Sequence, residues 1–340
     1  MRQTDRRPHP APPHRPEARR RALLAGFGAL WLAAPGLARA QETYPNRPLR
    51  IIPFGTAGGP IDTIARVYGD QITQRWGQPV VIEPRPGASG ILAADHVAKA
   101  APDGYTLLLT LSLTHTTVPL LQKRVPYDPA RDFQPLTQIG TGGPMFAVPV
   151  DHPARDLKSF VEWAKAKGRV TYGTWGNGSA AHIMGELLKV RTGAPLDHVP
   201  YKGEAAAHVD MFGGLLDAAW ANPATARGHV RGGKMKVLGI TGSRRVSALP
   251  EVPTFGEQGF EGFGLDSWMG FLAPAGTPQA VVARLVDLLR EVTQGPEAGG
   301  RLRDLGFEPL GNTPAEFTAN MRAELPLWAS VIEQAKVTIE

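Results

Sequence analysis

Two short segments of this 340-residue chain place glycines beside a carboxylate, a hydroxyl and an imidazole in a spacing suited to holding an anion. The first is Pro53-Phe54-Gly55-Thr56-Ala57-Gly58-Gly59-Pro60-Ile61-Asp62. The second is Tyr172-Gly173-Thr174-Trp175-Gly176-Asn177-Gly178-Ser179-Ala180-Ala181-His182. Each joins an apolar run to a helix-forming run, so its glycines stand at a helix N-terminus. The first N–H groups there lack intrahelical partners, and the helix dipole adds partial positive charge. Glycine lets the backbone approach a bound group closely. Neither segment contains Lys or Arg, so a carboxylate would be held by main-chain donors.

Each polar side chain has a second reading. Asp62 and Ser179 suit helix caps as well as ligand contacts. His182 suits packing and hydrogen bonding as well as ligand contact, and Trp175 suits a core as well as a cleft wall. A hydrolase or isomerase using Asp62, Ser179 and His182 would require the three to converge. Other chemistries fail on spacing. There is no Gly-x-x-x-x-Gly-Lys-Ser/Thr, Gly-x-Ser-x-Gly or His-Glu-x-x-His, and the first loop does not read Gly-x-Gly-x-x-Gly. The nine His lack metal-ligand spacing and Cys is absent, so no metal or cofactor is expected.

The elements that would position these loops alternate. Residues 49–54 read as a buried strand. Pro60 opens a helix in which Ile61, Ile64, Ala65, Tyr68 and Ile72 recur at helical spacing up to Gly77. Strand 79–83, turn 86–90, helix 91–100 and strand 105–111 follow, which predicts a parallel sheet with right-handed crossovers. A second unit reads as strand 145–150, helix 157–167, strand 170–174, helix 180–192, strand 198–201, helix 204–216 and strands 217–221 and 236–241. Strand 268–273, helix 279–294, strand 307–310 and helix 314–336 close the chain. The pattern predicts two α/β domains, with the C-terminal part returning to the first and a ligand cleft between them.

The net charge of +6 lies wholly in residues 1–40, which hold eight Arg against Asp5 and Glu17. The remainder is neutral, so a nucleic-acid partner is not expected. Arg19-Arg20-Arg21, the apolar stretch 22–37 and Ala38-Arg39-Ala40 follow the order of an export signal. Residues 1–40 are therefore expected to be a cleaved signal peptide, exported by the general or the twin-arginine route.

Many short motifs recur in order from Tyr44 onward: Tyr44-Pro45-Asn46-Arg47-Pro48, Pro86-Gly87-Ala88-Ser89-Gly90, Ala101-Pro102-Asp103-Gly104-Tyr105, Val125-Pro126-Tyr127-Asp128-Pro129, His198-Val199-Pro200-Tyr201-Lys202-Gly203 and Leu249-Pro250-Glu251-Val252-Pro253-Thr254. With the two loops, they make the chain resemble the Bug family of extracytoplasmic solute receptors, the TctC-type binding proteins of tripartite tricarboxylate transporters. The resemblance implies a type II periplasmic-binding-protein fold and a monomeric receptor rather than an enzyme. It implies domain 1 over 41–144 and 266–340, and domain 2 over 145–265. In the family, the two loops grip a citrate-type, dicarboxylic, aromatic or amino-acid carboxylate and hand it to a membrane permease or signal it to a sensor kinase. By match, the contacts fall on Gly58, Gly59, Asp62, Ser89, Gly178, Ser179 and His182. Two departures, Ile61 in a first loop one residue longer than usual and Ala221 before Asn222, lean toward an apolar or aromatic carboxylate.

Overall fold

The computed structural model describes residues 44–337; the expected signal peptide over 1–40 lies outside the described residues. The first sheet has six strands, β1 (Leu49–Pro53), β2 (Val80–Ile82), β3 (Thr106–Leu111), β4 (Phe133–Gly142), β10 (Ser267–Pro274) and β11 (Glu308–Pro309). Their order is β11-β4-β10-β3-β1-β2. The second sheet has β5 (Met145–Pro149), β6 (Val170–Thr174), β7 (Leu196–Pro200), β8 (Ala218–Ala221) and β9 (Met235–Ile240), in the order β7-β6-β8-β5-β9.

The helices are α1 (Pro60–Trp76), α2 (Ile91–Ala98), α3 (Ser112–His115), α4 (Thr117–Leu121), α5 (Leu157–Lys167), α6 (Ala180–Thr192), α7 (Glu204–Phe212), α8 (Pro223–Arg231), α9 (Gln279–Gln294), α10 (Pro296–Asp304) and α11 (Pro314–Ala335). Local signals set their ends. Asp156 and Ser159 close a capping box at the start of α5, and Thr313 with Glu316 does the same for α11. Helix α7 stops at Phe212, short of the expected residue 216, because Gly213 and Gly214 follow and the Gly213 N–H donates to the Val209 carbonyl.

The expected parallel arrangement holds for β1, β2 and β3, while each sheet taken whole is mixed. β1 pairs in parallel with β2 and β3, but β10 runs antiparallel between β3 and β4. β4 was not foreseen, because Pro135, Thr137 and Gln138 break its apolar pattern. Tertiary partners satisfy these residues. Thr137 Oγ1 donates to the Asn312 carbonyl at 2.7 Å, and Asn312 and Asn320 donate to Gln138 Oε1 at 2.6 and 2.8 Å. A register shift against Phe271/Leu272 accommodates Pro135. Helices α8 and α10 also escaped sequence reading, since each is polar, opens on proline and contains glycine.

Each sheet carries its own core. Ile52, Ala94, Leu108, Trp268, Leu272 and Phe317 form one cluster. Phe146, Phe160, Tyr172, Met184, Trp220 and Phe255 belong to another. Helix α11 joins both. Phe317 packs edge-on against Trp268 at 4.8 Å, while Trp328, Val331 and Ile332 enter the second cluster. Pro326 interrupts the helix between these two ends, where its ring excludes one backbone hydrogen bond. Among the described residues, no helix is long and apolar enough to cross a membrane.

Trp328 is 1% exposed, so Trp328→Ala is expected to cost about 3–5 kcal/mol of stability, as for other buried Trp truncations. Leu327→Ala, on the exposed side of the same turn, should stay within about 0.5 kcal/mol. Urea denaturation of both variants measures the difference.

Candidate functional site

A cavity of about 320 Å³ opens between the two sheets. Leu111 ends β3, Ser112 and Leu113 follow it, and Ser89 comes from the turn before α2. Across from them stand Trp175, Asn177, Gly178, Ser179 and Ala180, between β6 and α6, and Asn222 after β8. Val118 and Leu121 of α4, residues 305–307 and Trp328 complete an apolar wall. No ionisable side chain lines this cavity. Its polar groups are main-chain amides, hydroxyls and side-chain amides.

Three of the sequence-derived contact residues reach the cavity: Ser89, Gly178 and Ser179. Gly58, Gly59, Asp62 and His182 are not in its wall. The first loop nevertheless has the same construction as the second. Gly59 N–H donates to the Thr56 carbonyl at 3.0 Å, and Ser179 N–H to the Gly176 carbonyl at 3.4 Å. Gly58 and Gly178 both have left-handed φ, 76° and 71°, which glycine adopts without strain. The Gly58 N–H donates to Asp62 Oδ2 at 2.8 Å. The Gly178 N–H donates to His182 Nδ1 at 3.1 Å.

Gly58, Gly59 and Gly178 N–H groups are engaged within their own loops. Among the described residues, the Asn177 N–H and the Ala180 and Ala181 N–H groups in the first turn of α6 remain without protein partners. So do the N–H groups of Thr56 and Ala57, in the exposed tip of the first loop. Ser89 is exposed at φ 52°, with its carbonyl accepting from Thr114 Oγ1 at 3.0 Å. The Asn222 N–H donates to Glu204 Oε2 at 2.7 Å, while its side-chain amide has no partner among the described residues. Ala221 is fully buried, so the residue change there does not touch the cavity. Ile61 is also absent from the wall. The cavity's apolar character instead comes from α4, residues 305–307 and Trp328, segments that carry no anion-binding signal in the sequence.

Asp62, Ser179 and His182 share no side-chain relay. Arg66 donates to Asp62 through Nε at 2.8 Å and Nη2 at 3.3 Å. Burial alone would push the Asp62 carboxyl up, but Arg66 and the Gly58 N–H outweigh it and hold it below the usual carboxylate range. Ser179 Oγ donates to the Gly176 carbonyl at 2.7 Å and accepts the His182 main-chain N–H at 3.2 Å. Burial lowers the His182 imidazole below the usual histidine value, with Glu186 opposing. His198 stacks on it at 3.9 Å and 14° and is pushed down to about 3 by burial and by His182. Among the described residues, no group of His, Asp and Glu could hold a metal ion.

Two α/β lobes facing an uncharged cleft at strand ends and a helix N-terminus define a type II periplasmic-binding-protein architecture, that of a solute receptor. The model of the tripartite tricarboxylate transporter family receptor matches residues 64–337, and the chain belongs to this family. It is 33% identical over 317 residues to the protein BugT of Bordetella pertussis, covering 92% of this chain and 97% of BugT. Among solved structures, the periplasmic binding protein BugD superposes with TM-score 0.72 at 32% identity, covering 87% of this chain and 100% of that one. A Rhodopseudomonas palustris protein solved with adipate gives TM-score 0.75 at 30% identity, covering 87% and 99%. MatC from the same organism, with bound malate, gives 0.69 at 30% identity, covering 85% and 100%. The chain is thus a receptor and not an enzyme.

Asp62 binds its proton more weakly in the fold than in the open chain. Its contribution is therefore present above the ordinary carboxylate value and lost as pH falls through the lowered one. Asp62→Asn, which retains an acceptor for Gly58, is expected to cost about 1 kcal/mol at neutral pH and to flatten the acid limb of stability. Urea melts across the acid range check both effects.

Proposed function

We propose that this receptor captures a small organic acid whose carboxylate lies at the start of α6 and whose remaining atoms lie against the apolar wall. The observation that carries this reading is the composition of the cavity, with unengaged main-chain donors at one end and no charged side chain anywhere in its lining. A carboxylate held by the Asn177, Ala180 and Ala181 N–H groups, with Ser179, Ser89 and Asn222 beside it, needs no Lys or Arg. The first loop, with Gly58, Gly59 and Asp62, forms the opposing jaw, and its Thr56 and Ala57 amides meet the acid when the lobes close. Residues 41–144 with 266–340, and 145–265, are the moving bodies, with the end of α11 from Trp328 onward held in the core of the second.

The adipate and malate bound by two relatives support an acid ligand. The wall of Leu113, Val118, Leu121, Trp175 and Phe307 favours an acid with an apolar or aromatic body over a short, highly polar one. The protein works as a monomer in the periplasm, which it reaches through the leader in residues 1–40, and its partner is a membrane permease of the tripartite type.

A thermal-shift panel of benzoate, adipate, malate and the primary amide of each tests this reading. At a ligand concentration about 100-fold above Kd, a bound acid should stabilise the fold by about 2.7 kcal/mol. Benzoate or adipate should exceed malate, and the amides should be inert. Equal shifts from acids and amides, or no shift with any acid, would refute it.

A further inference from the structure

The two loops share a device that neither loop's sequence shows alone. In each, a glycine N–H is clasped by the side chain four residues further on, Asp62 in the first loop and His182 in the second. The helices begin at Pro60 and Ala180, two residues after the clasped glycine in both cases. The clasp fixes the peptide plane just before the first helical turn, and so the direction of the amides that follow.

The two acceptors differ in one chemical respect. A carboxylate accepts whenever it is ionised, and Arg66 keeps Asp62 so. An imidazole accepts at Nδ1 only while neutral, with its single proton on Nε2. Once charged it carries a proton on both nitrogens, which would set N–H against N–H across 3.1 Å.

We infer that His182 is a positioning residue whose neutral imidazole clasps the Gly178 N–H, and that charging it opens the second loop while the Asp62 clasp stays shut, weakening the grip on the ligand in acid. Only the ligand part of this inference rests on the carboxylate reading above; the clasp itself does not need it.

The groups facing His182 support this assignment. From β7, His198 stacks on its ring and bonds Thr174 Oγ1 through Nε2 at 2.7 Å. From β6, the Tyr172 ring lies 5.3 Å from that of His198. One turn on in α6, Glu186 accepts from the Tyr172 hydroxyl at 2.7 Å and lies 3.8 Å from Lys189. Glu186 is the one carboxylate of this group, and it already has two partners. A charge on His182 thus faces a neutral ring that resists taking a second one. Because burial lowers the His182 value, with Glu186 opposing, the clasp holds above the lowered folded value and is lost as pH falls through it.

NMR of the ligand-free full-length mature protein tests the clasp directly. At neutral pH the His182 nitrogens should report the Nε2–H tautomer. On acidification, imidazole charging and loss of the Gly178 amide protection factor should occur in one step, with Gly58 protection unchanged. In His182→Asn, Oδ1 takes the place of Nδ1 and does not titrate, so Gly178 protection should stay flat. His182→Phe keeps a ring against His198 but has no acceptor. It should lose Gly178 protection at all pH and weaken benzoate or adipate binding about two- to tenfold at neutral pH, the range of one intramolecular hydrogen bond. Acid sensitivity that persists in His182→Asn, or Gly178 protection that survives His182 charging, would overturn the inference. If neither acid binds yet the clasp titrates as described, the carboxylate reading fails and the clasp stands.

Discussion

The two Gly-rich loops of this receptor depend on one repeated interaction, a loop glycine N–H held by the side chain four residues along the chain. Without it, a Gly-rich turn before a helix has many conformations and its amides point in no fixed direction. With it, the left-handed glycine is pinned, the next residue closes a turn, and the helix begins two residues later. The same construction at Gly58–Asp62 and Gly178–His182 gives each lobe one pinned loop. The most conspicuous polar side chains of the two loops are therefore spent on shaping the loops. This explains why they form no nucleophile–base–acid relay.

The absence of formal charge in the cavity sets the kind of ligand that can be held. A hydrogen bond to a charged group is worth about 1.5–3 kcal/mol, whereas a helix end adds about 0.3–1 kcal/mol. The number and aim of the amides thus dominate over the dipole, and loop geometry matters more than field strength. Uncharged donors also let a ligand leave without breaking an ion pair, which suits a protein that must hand its cargo on. The apolar wall supplies the rest of the affinity through burial and discriminates by shape.

Helix α11 couples the two halves. Its start lies in the first core beside Trp268, and its end lies in the second core, with Trp328 also touching the cavity. A single element therefore senses both lobes and the ligand space. Pro326, between its two ends, weakens the helix where bending would accompany movement of one lobe on the other.

The amino-acid sequence by itself determined the alternating strand–loop–helix order, the two Gly-rich loops and the place of both loops at helix beginnings. All three follow from local spacing, apolar periodicity and turn residues, which act over a few residues. It also singled out Ser89, Gly178 and Ser179, which do line the cavity. Only the tertiary structure decided that Asp62 and His182 turn inward, that Gly58 and Gly178 amides are already taken, and that the Thr56, Ala57, Asn177 and first α6 amides are left without partners among the described residues. It alone decided that polar β4 is a central strand, because Asn312 and Asn320 reach Gln138 from about 180 residues away. The apolar wall from α4, residues 305–307 and Trp328 was equally hidden. The physical reason is common to all of these: a hydrogen-bonding group has one partner at a time, and which partner wins is settled by long-range packing that no local pattern records.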